Sequence, residues 1–306
     1  MEHNAIIQTQ NLSKQYKGNV YALKNLNLDV QRGEIFGYLG PNGAGKTTTI
    51  KLLLDMIRPS SGQAQLFGSD VTRDSVAVRG RLGFLPGELN LWERQTSMQI
   101  IRYIGHVRGG VDLRYVHELA ERLQFDLTKK VRSYSTGNKR KLGLILALMN
   151  QPELLILDEP TSGLDPLMQQ IFNELMREAR DAGRTVFLSS HVLGEVQAIC
   201  DRVGILRSGV LQSVQRVDSL SQADFRVVTI RFQAPVAAGF LTAIPNVTDV
   251  HVHEQEAKFQ LYGDFDPVLR ALSGQYITSM EVEKPTLEDI FLKFYNTDGV
   301  RQTEPV

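Results

Sequence analysis

The chain has 306 residues, 42% of them apolar, and 34 basic side chains balance 34 acidic ones. A chain of that size can bury a large core and points to two domains, and its single cysteine, Cys200, excludes an internal disulfide framework. The densest apolar run, Leu142 to Met149, is far short of the ~18 residues of a membrane-crossing helix, and Met1-Glu2-His3-Asn4 lacks the basic-then-apolar start of a signal peptide, so a soluble intracellular protein is expected.

The first strong element is Glu34-Ile35-Phe36-Gly37-Tyr38-Leu39, an uninterrupted apolar strand of the kind buried on both faces. It runs into Gly40-Pro41-Asn42-Gly43-Ala44-Gly45-Lys46-Thr47, which fits G-x-x-x-x-G-K-S/T at every fixed position, and an apolar helical pattern follows from Thr48 to Ile57. Strand, glycine loop and helix in that order form a phosphate cradle: the glycines let successive N–H groups aim at phosphate oxygens, and the helix N-terminus adds partial positive charge. Lys46 is expected to reach the β- and γ-phosphates, and Thr47 to ligate Mg²⁺.

From Leu91 to Tyr134 the pattern is largely helical, with Trp92, Ile100, Ile101, Ile104, Val116, Leu119 and Leu123 as recurring apolar positions. A basic cluster, Lys129, Lys130, Arg132, Lys139, Arg140 and Lys141, brackets Ser135-Thr136-Gly137-Asn138 and reads as a solvated helix face. It is short and has no interleaved aromatics, so no nucleic-acid partner is expected. Ser135 and Gly137 open the apolar helix that ends near Met149 and offer an N-cap and free N–H donors.

Leu154-Leu155-Ile156-Leu157 reads as a second fully buried strand, and it delivers two adjacent carboxylates, Asp158 and Glu159, before Pro160 stops it. Beside a phosphate cradle, Asp158 becomes the carboxylate that holds Mg²⁺ through water and Glu159 the group that polarises the attacking water. Ser162-Gly163-Leu164-Asp165 follows, and His191 stands after a strand starting at Thr185. Cys200, in an apolar helical stretch, reads as a small buried hydrophobe.

Charge and texture change near residue 220: residues 1–220 carry 27 Lys+Arg against 22 Asp+Glu, and residues 221–306 carry 7 against 12. Strands are expected at Val228–Phe232, Val250–Val252, Phe259–Leu261 and Ile277–Val282, and helices at Val236–Ile244 and Pro267–Leu272, with Pro285 and Thr286 opening a last amphipathic helix. That order is a small ferredoxin-like α+β unit. His251 and His253 share a strand face and could in principle bind a metal, but no metal site is expected there.

These motifs, in this order, resemble the ATP-binding cassette (ABC) ATPases over residues 6 to 220, and the ending resembles the C-terminal domain of cassette ATPases that serve ABC-2 type exporters, including drug and antibiotic self-resistance exporters. The resemblance implies an α/β phosphate-loop domain over 1–220 with a helical subdomain at about 88–149, an accessory or regulatory domain over 221–296, and a tail over 297–306. It implies ATP and Mg²⁺, and a site built from Tyr16 stacking on adenine, the loop Gly40 to Thr48 with Gly43, Ala44 and Gly45 at its centre, Lys46, Thr47, Asp158, Glu159 and the switch histidine His191. Ser135 and Gly137 would address the γ-phosphate held by the opposite subunit of a head-to-tail, ATP-dependent homodimer. An integral membrane permease would be the partner, placing the chain on the cytoplasmic face of the membrane. The rivals are a cassette ATPase without transport and a nucleotide-gated regulatory module with low turnover.

Two departures stand out. The signature segment reads Thr136 and Asn138 where the family prefers Gly and Gln, and Gly87 stands after Pro86 where the family places a glutamine that ligates Mg²⁺. Either Glu88 supplies the missing oxygen, or water does and Glu88 faces the membrane partner.

Overall fold

The structure, a computed structural model, describes residues 5–18, 20–220 and 225–283. The chain divides into two compact units, residues 1–216 and 217–306. The expected helix after Pro285 and the tail over 297–306 lie outside the described residues.

The first unit is built on a six-stranded sheet in the order Val210–Arg216, Arg202–Arg207, Ile35–Leu39, Thr185–Ser190, Leu154–Asp158 and Leu82–Leu85. All its neighbours run parallel except the first pair, a hairpin. The three strands Ile35–Leu39, Thr185–Ser190 and Leu154–Asp158 are buried at every residue, which is why Ile35–Leu39 and Leu154–Leu157 read as continuous apolar runs without alternation. A second, antiparallel sheet takes Val20–Gln31, Ala5–Tyr16, Ser61–Leu66 and Ser69–Asp70. One apolar cluster joins the two sheets through Ile7, Leu26, Phe36, Ile50 and Leu154.

The parallel order decides where chemistry can occur. In such sheets ligands bind outside the carboxyl ends of the strands, and here four neighbouring strands end in Leu39, Ser190, Asp158 and Leu85, each followed by a segment singled out in the sequence. The helix after the glycine loop spans Lys46–Leu53, shorter than the pattern to Ile57 implies. Leu54 caps it and Asp55, at φ +53°, turns the chain away.

The helical region contains Ser97–Val107 and Leu113–Arg122. Thr96 opens the first with a capping box to Gln99, so its start is set by local chemistry. Ile100, Ile101, Val116, Leu119 and Leu123 are buried. Trp92, expected among them, lies outside any helix and is 52% exposed, edge-on to Tyr103 with ring centroids 5.1 Å apart.

In the second unit, Phe225–Phe232, Ala238–Thr242, Val247–His253, Glu256–Tyr262, Asp266–Ala271 and Ile277–Glu283 alternate as strand, helix, strand, strand, helix, strand. The sheet is antiparallel, with the last strand beside the first and the two hairpin strands on the other side, the ferredoxin-like arrangement. Val228, Ile230, Phe232 and Phe259 bury one face against Leu241 and Val268 of the helices. His251 pairs with Asp249 at 3.1 Å.

Gly83 reports how tightly the sheet is covered: a Cβ there would lie 2.1 Å from the Ala147 carbonyl oxygen of the Thr136–Leu148 helix. Gly83→Ala is expected to destabilise the protein by about 1–3 kcal/mol, read as a lower urea midpoint at unchanged slope.

Candidate nucleotide-binding and hydrolysis site

The glycine loop folds as its composition requires. Gly43 and Gly45 adopt φ +80° and +107°, and a Cβ on Gly45 would sit 2.3 Å from the Ala22 carbonyl oxygen, so both backbone conformation and space exclude a side chain there. No side chain caps the Lys46–Leu53 helix, which leaves its first amides for an anion. A cleft of about 220 Å³ lies over this end, lined by Pro41, Asn42, Gly43, Ala44, Gly45, Lys46, Thr47, Thr48 and Glu159, together with Ala22, which no sequence motif marks.

Lys46 is nearly buried, and its Nζ bonds to the Gly40 and Pro41 carbonyls at 2.6 and 3.3 Å and pairs with Glu159 Oε1 at 3.2 Å. The other Glu159 oxygen meets His191 Nδ1 at 2.8 Å. Both carboxylate oxygens thus have a partner, and the buried lysine is satisfied, as a desolvated charge must be. Thr47 Oγ1 donates to Asp158 Oδ2 at 2.9 Å. These two hard oxygens converge beside the phosphate cradle, the donor chemistry Mg²⁺ takes.

Ser189 joins the two acidic residues. Its Oγ donates to Asp158 Oδ1 at 2.6 Å and accepts from the Glu159 N–H at 3.1 Å. Glu159 itself adopts φ +50°, where few non-glycine residues sit; Pro160 after it disfavours the right-handed helical region. Glu195 ties the flanking segments, accepting from Thr161 Oγ1 and Ser190 Oγ, both at 2.6 Å.

Arg140 corrects the reading of the basic cluster as a solvated face. It is 3% exposed, and its guanidinium donates to the carbonyls of Pro86, Gly87, Asp158, Glu159 and Pro160. Burial pulls its pKa below the ordinary arginine value, and the nearby Asp158 and Glu159 charges oppose that shift. Helical spacing from the cap at Ser135 was the one signal for it: Arg140 shares the inward face with Leu144.

Position 87 does face Asp158, since a Cβ there would lie 3.1 Å from its Oδ2. Glu88 is exposed and bonds to neither Thr47 nor Asp158. Ser135 caps the Thr136–Leu148 helix by accepting from Asn138 N–H. Gly137 packs where a Cβ would stand 2.8 Å from the Gly163 carbonyl oxygen. Neither Ser135 nor Gly137 lines the cleft, and nor does Tyr16, which is 47% exposed with Lys14 Nζ 5.4 Å from its ring centre.

A phosphate loop, a convergent threonine and aspartate, and a glutamate held between lysine and histidine at the carboxyl edge of a parallel sheet define a P-loop nucleotide-binding domain. Residues 23–162 match the family described as ABC transporter, and residues 219–295 match that described as ATP-binding protein DrrA1-3-like, C-terminal domain. The bacitracin transport ATP-binding protein BcrA of Bacillus licheniformis is 34% identical over 306 residues, covering 95% of this chain and 97% of that protein. The linearmycin resistance ATP-binding protein LnrL of Bacillus subtilis (strain 168) is 31% identical over 303 residues, covering 94% and 97%. A solved structure described as the ATP binding subunit of an ABC transporter matches at TM-score 0.65 and 28% identity, over 71% of this chain and 92% of its own. The chain belongs to the ABC transporter ATP-binding proteins.

Ser189 is buried and serves both acidic residues. Ser189→Ala leaves a part-buried N–H and a buried carboxylate oxygen short of a partner, and is expected to cost about 1–3 kcal/mol of stability. Thermal unfolding of the variant against the parent measures it.

Proposed function

We propose that this chain is the ATP-hydrolysing subunit of an exporter and drives a separate membrane permease. The observation that carries the hydrolytic part is Glu159, its carboxylate placed between Lys46 and His191 at the mouth of the phosphate cradle. The export part is supported by relatives named for bacitracin transport, linearmycin resistance and Nod factor export.

A triphosphate entering the loop competes with the Gly40 carbonyl and Glu159 for Lys46. Once Lys46 turns to the phosphates, Glu159 keeps His191 as partner and has an oxygen free to orient water and accept its proton. Thr47 and Asp158 would hold Mg²⁺, which neutralises charge on the transferring phosphoryl group. Tyr16 would stack on adenine. Ser135 and Gly137 would meet the γ-phosphate of a second copy in a head-to-tail dimer, with His191 contacting the phosphate in its own chain.

A permease partner gains support from a groove of about 650 Å³ on the helical region, lined by Trp92, Glu93, Arg94, Gln95, Gln99, Ile100 and Tyr103. Its two large exposed aromatics suit an amphipathic helix from a membrane protein, and no helix among the described residues is long and apolar enough to cross a membrane. That partner would hold the chain at the cytoplasmic face. The acidic C-terminal unit contributes none of these groups and is read as an accessory or regulatory domain, with the division near residue 220.

Glu159→Gln keeps Lys46 and the cradle but removes the base, so turnover is expected to fall by roughly 10²–10⁴-fold with ATP binding retained. Light scattering of that variant with ATP is expected to give a dimer; a monomer at saturating ATP contradicts the head-to-tail arrangement. For the site beside Gly87, water is the proposed occupant and Glu88 faces outward. A Mg²⁺ titration of ATPase activity in Glu88→Ala is therefore expected to match the parent, and a clear rightward shift would make Glu88 the ligand.

A further inference from the structure

We propose that Arg140 is a positioning residue for hydrolysis, fixing the main chain that carries Asp158 and Glu159 to the Thr136–Leu148 helix and to the Pro86–Gly87 segment; this rests on the ATPase reading above. An arginine side chain has five N–H donors in a planar fork, and here each meets a main-chain carbonyl. Nε donates to Pro160 at 3.2 Å, Nη1 to Pro86 and Gly87 at 2.7 and 3.0 Å, and Nη2 to Asp158 at 2.5 Å and to Glu159. Among the described residues Arg140 forms no ion pair with a carboxylate side chain, so peptide dipoles alone complete its hydrogen bonding.

Three separate pieces of chain meet at this one group. The first is the helix on which Arg140 stands, one turn beyond Thr136 and the Ser135 cap. The second is the turn at the end of the Leu154–Asp158 strand, where Glu159 sits at φ +50°, gripped through its N–H by Ser189 and through its carbonyl by Arg140. The third is Pro86–Gly87, whose close approach to Asp158 is possible because position 87 has no side chain. With no side chain at 87 to bond across to Asp158, the Gly87 carbonyl held by Arg140 supplies a main-chain link between this segment and the acidic turn.

A rigid helix and a five-point fork resist sliding, so displacement of the Ser135 end of the helix moves the Glu159 main chain with it. Arg140 touches neither the cradle amides nor Lys46 and lines no part of the cleft, so its loss misplaces the base while leaving the phosphate site formed. Lysine keeps the charge but has three donors on a flexible stem and cannot span five carbonyls.

The test uses the full chain as Arg140→Lys and Arg140→Gln beside the parent and Glu159→Gln. Calorimetric titration with a non-hydrolysable ATP analogue counts binding sites and gives Kd, and steady-state ATPase gives kcat per titrated site. The expected result is a kcat per site lower by about 10²-fold, the scale for a catalytic group misplaced by an ångström, in each variant that binds nucleotide, with Kd within about threefold of the parent. Near-parental kcat per site in the lysine variant overturns the proposal. So does loss of folding or of nucleotide binding in both variants, because that is the signature of a merely structural residue. A parent chain with no ATP turnover brings down the ATPase reading itself, which separates the two failures.

Discussion

Two carboxylates, a lysine and an arginine crowd the carboxyl edge of a sheet whose central strands are buried on both faces, and the site depends on how these charges are satisfied without bulk water. Leaving one of them unpaired in such a place costs several kcal/mol. The structure answers with complete pairing: Lys46 between loop carbonyls and Glu159, Asp158 between Thr47 and Ser189, Glu159 between Lys46 and His191. Because every group is committed, a ligand can enter only by exchanging partners. Lys46 is the group with the most to exchange, since it can trade a carbonyl and a carboxylate for phosphate oxygens.

The same crowding explains the main chain around the site. Glycine stands where a Cβ would strike a carbonyl: Gly40 against Leu206, Gly45 against Ala22 and Gly137 against Gly163. These contacts draw the phosphate loop against the Arg202–Arg207 and Val20–Gln31 strands and the signature helix against the turn after Asp158–Glu159. A buried polar network that is fully satisfied is rigid, and rigidity is what holds a base and a phosphate cradle at fixed separation.

The second unit follows other rules. Its sheet is antiparallel with one face covered, so its strands alternate and its core is small: Val228, Ile230, Phe232 and Phe259 against two short helices. Two short helices on one face need little length, and the charge shift at residue 220 marks where the composition stops serving a parallel, doubly covered sheet.

Local sequence determined a good deal by itself. The spacing Gly40 to Thr47 specifies a strand, a tight loop and a helix because only glycine tolerates those backbone angles, and the run Leu154 to Leu157 ending in two acids specifies a buried strand with its carboxylates at the sheet edge. The strand and helix order of the C-terminal unit was legible because each element carries its own periodicity. Tertiary structure alone decided the rest. That Ser189 bonds to both acidic residues depends on two strands lying side by side in register, 31 residues apart along the chain. That Trp92 is exposed depends on a surface no neighbouring residue specifies. Arg140 is the sharpest instance: in a run of lysines and arginines its residue type predicts solvent, and only the arrival of five carbonyls from two distant segments makes a buried guanidinium more stable than a solvated one. Periodicity and turn chemistry are properties of neighbours in sequence; the partners of a buried charge are properties of the fold.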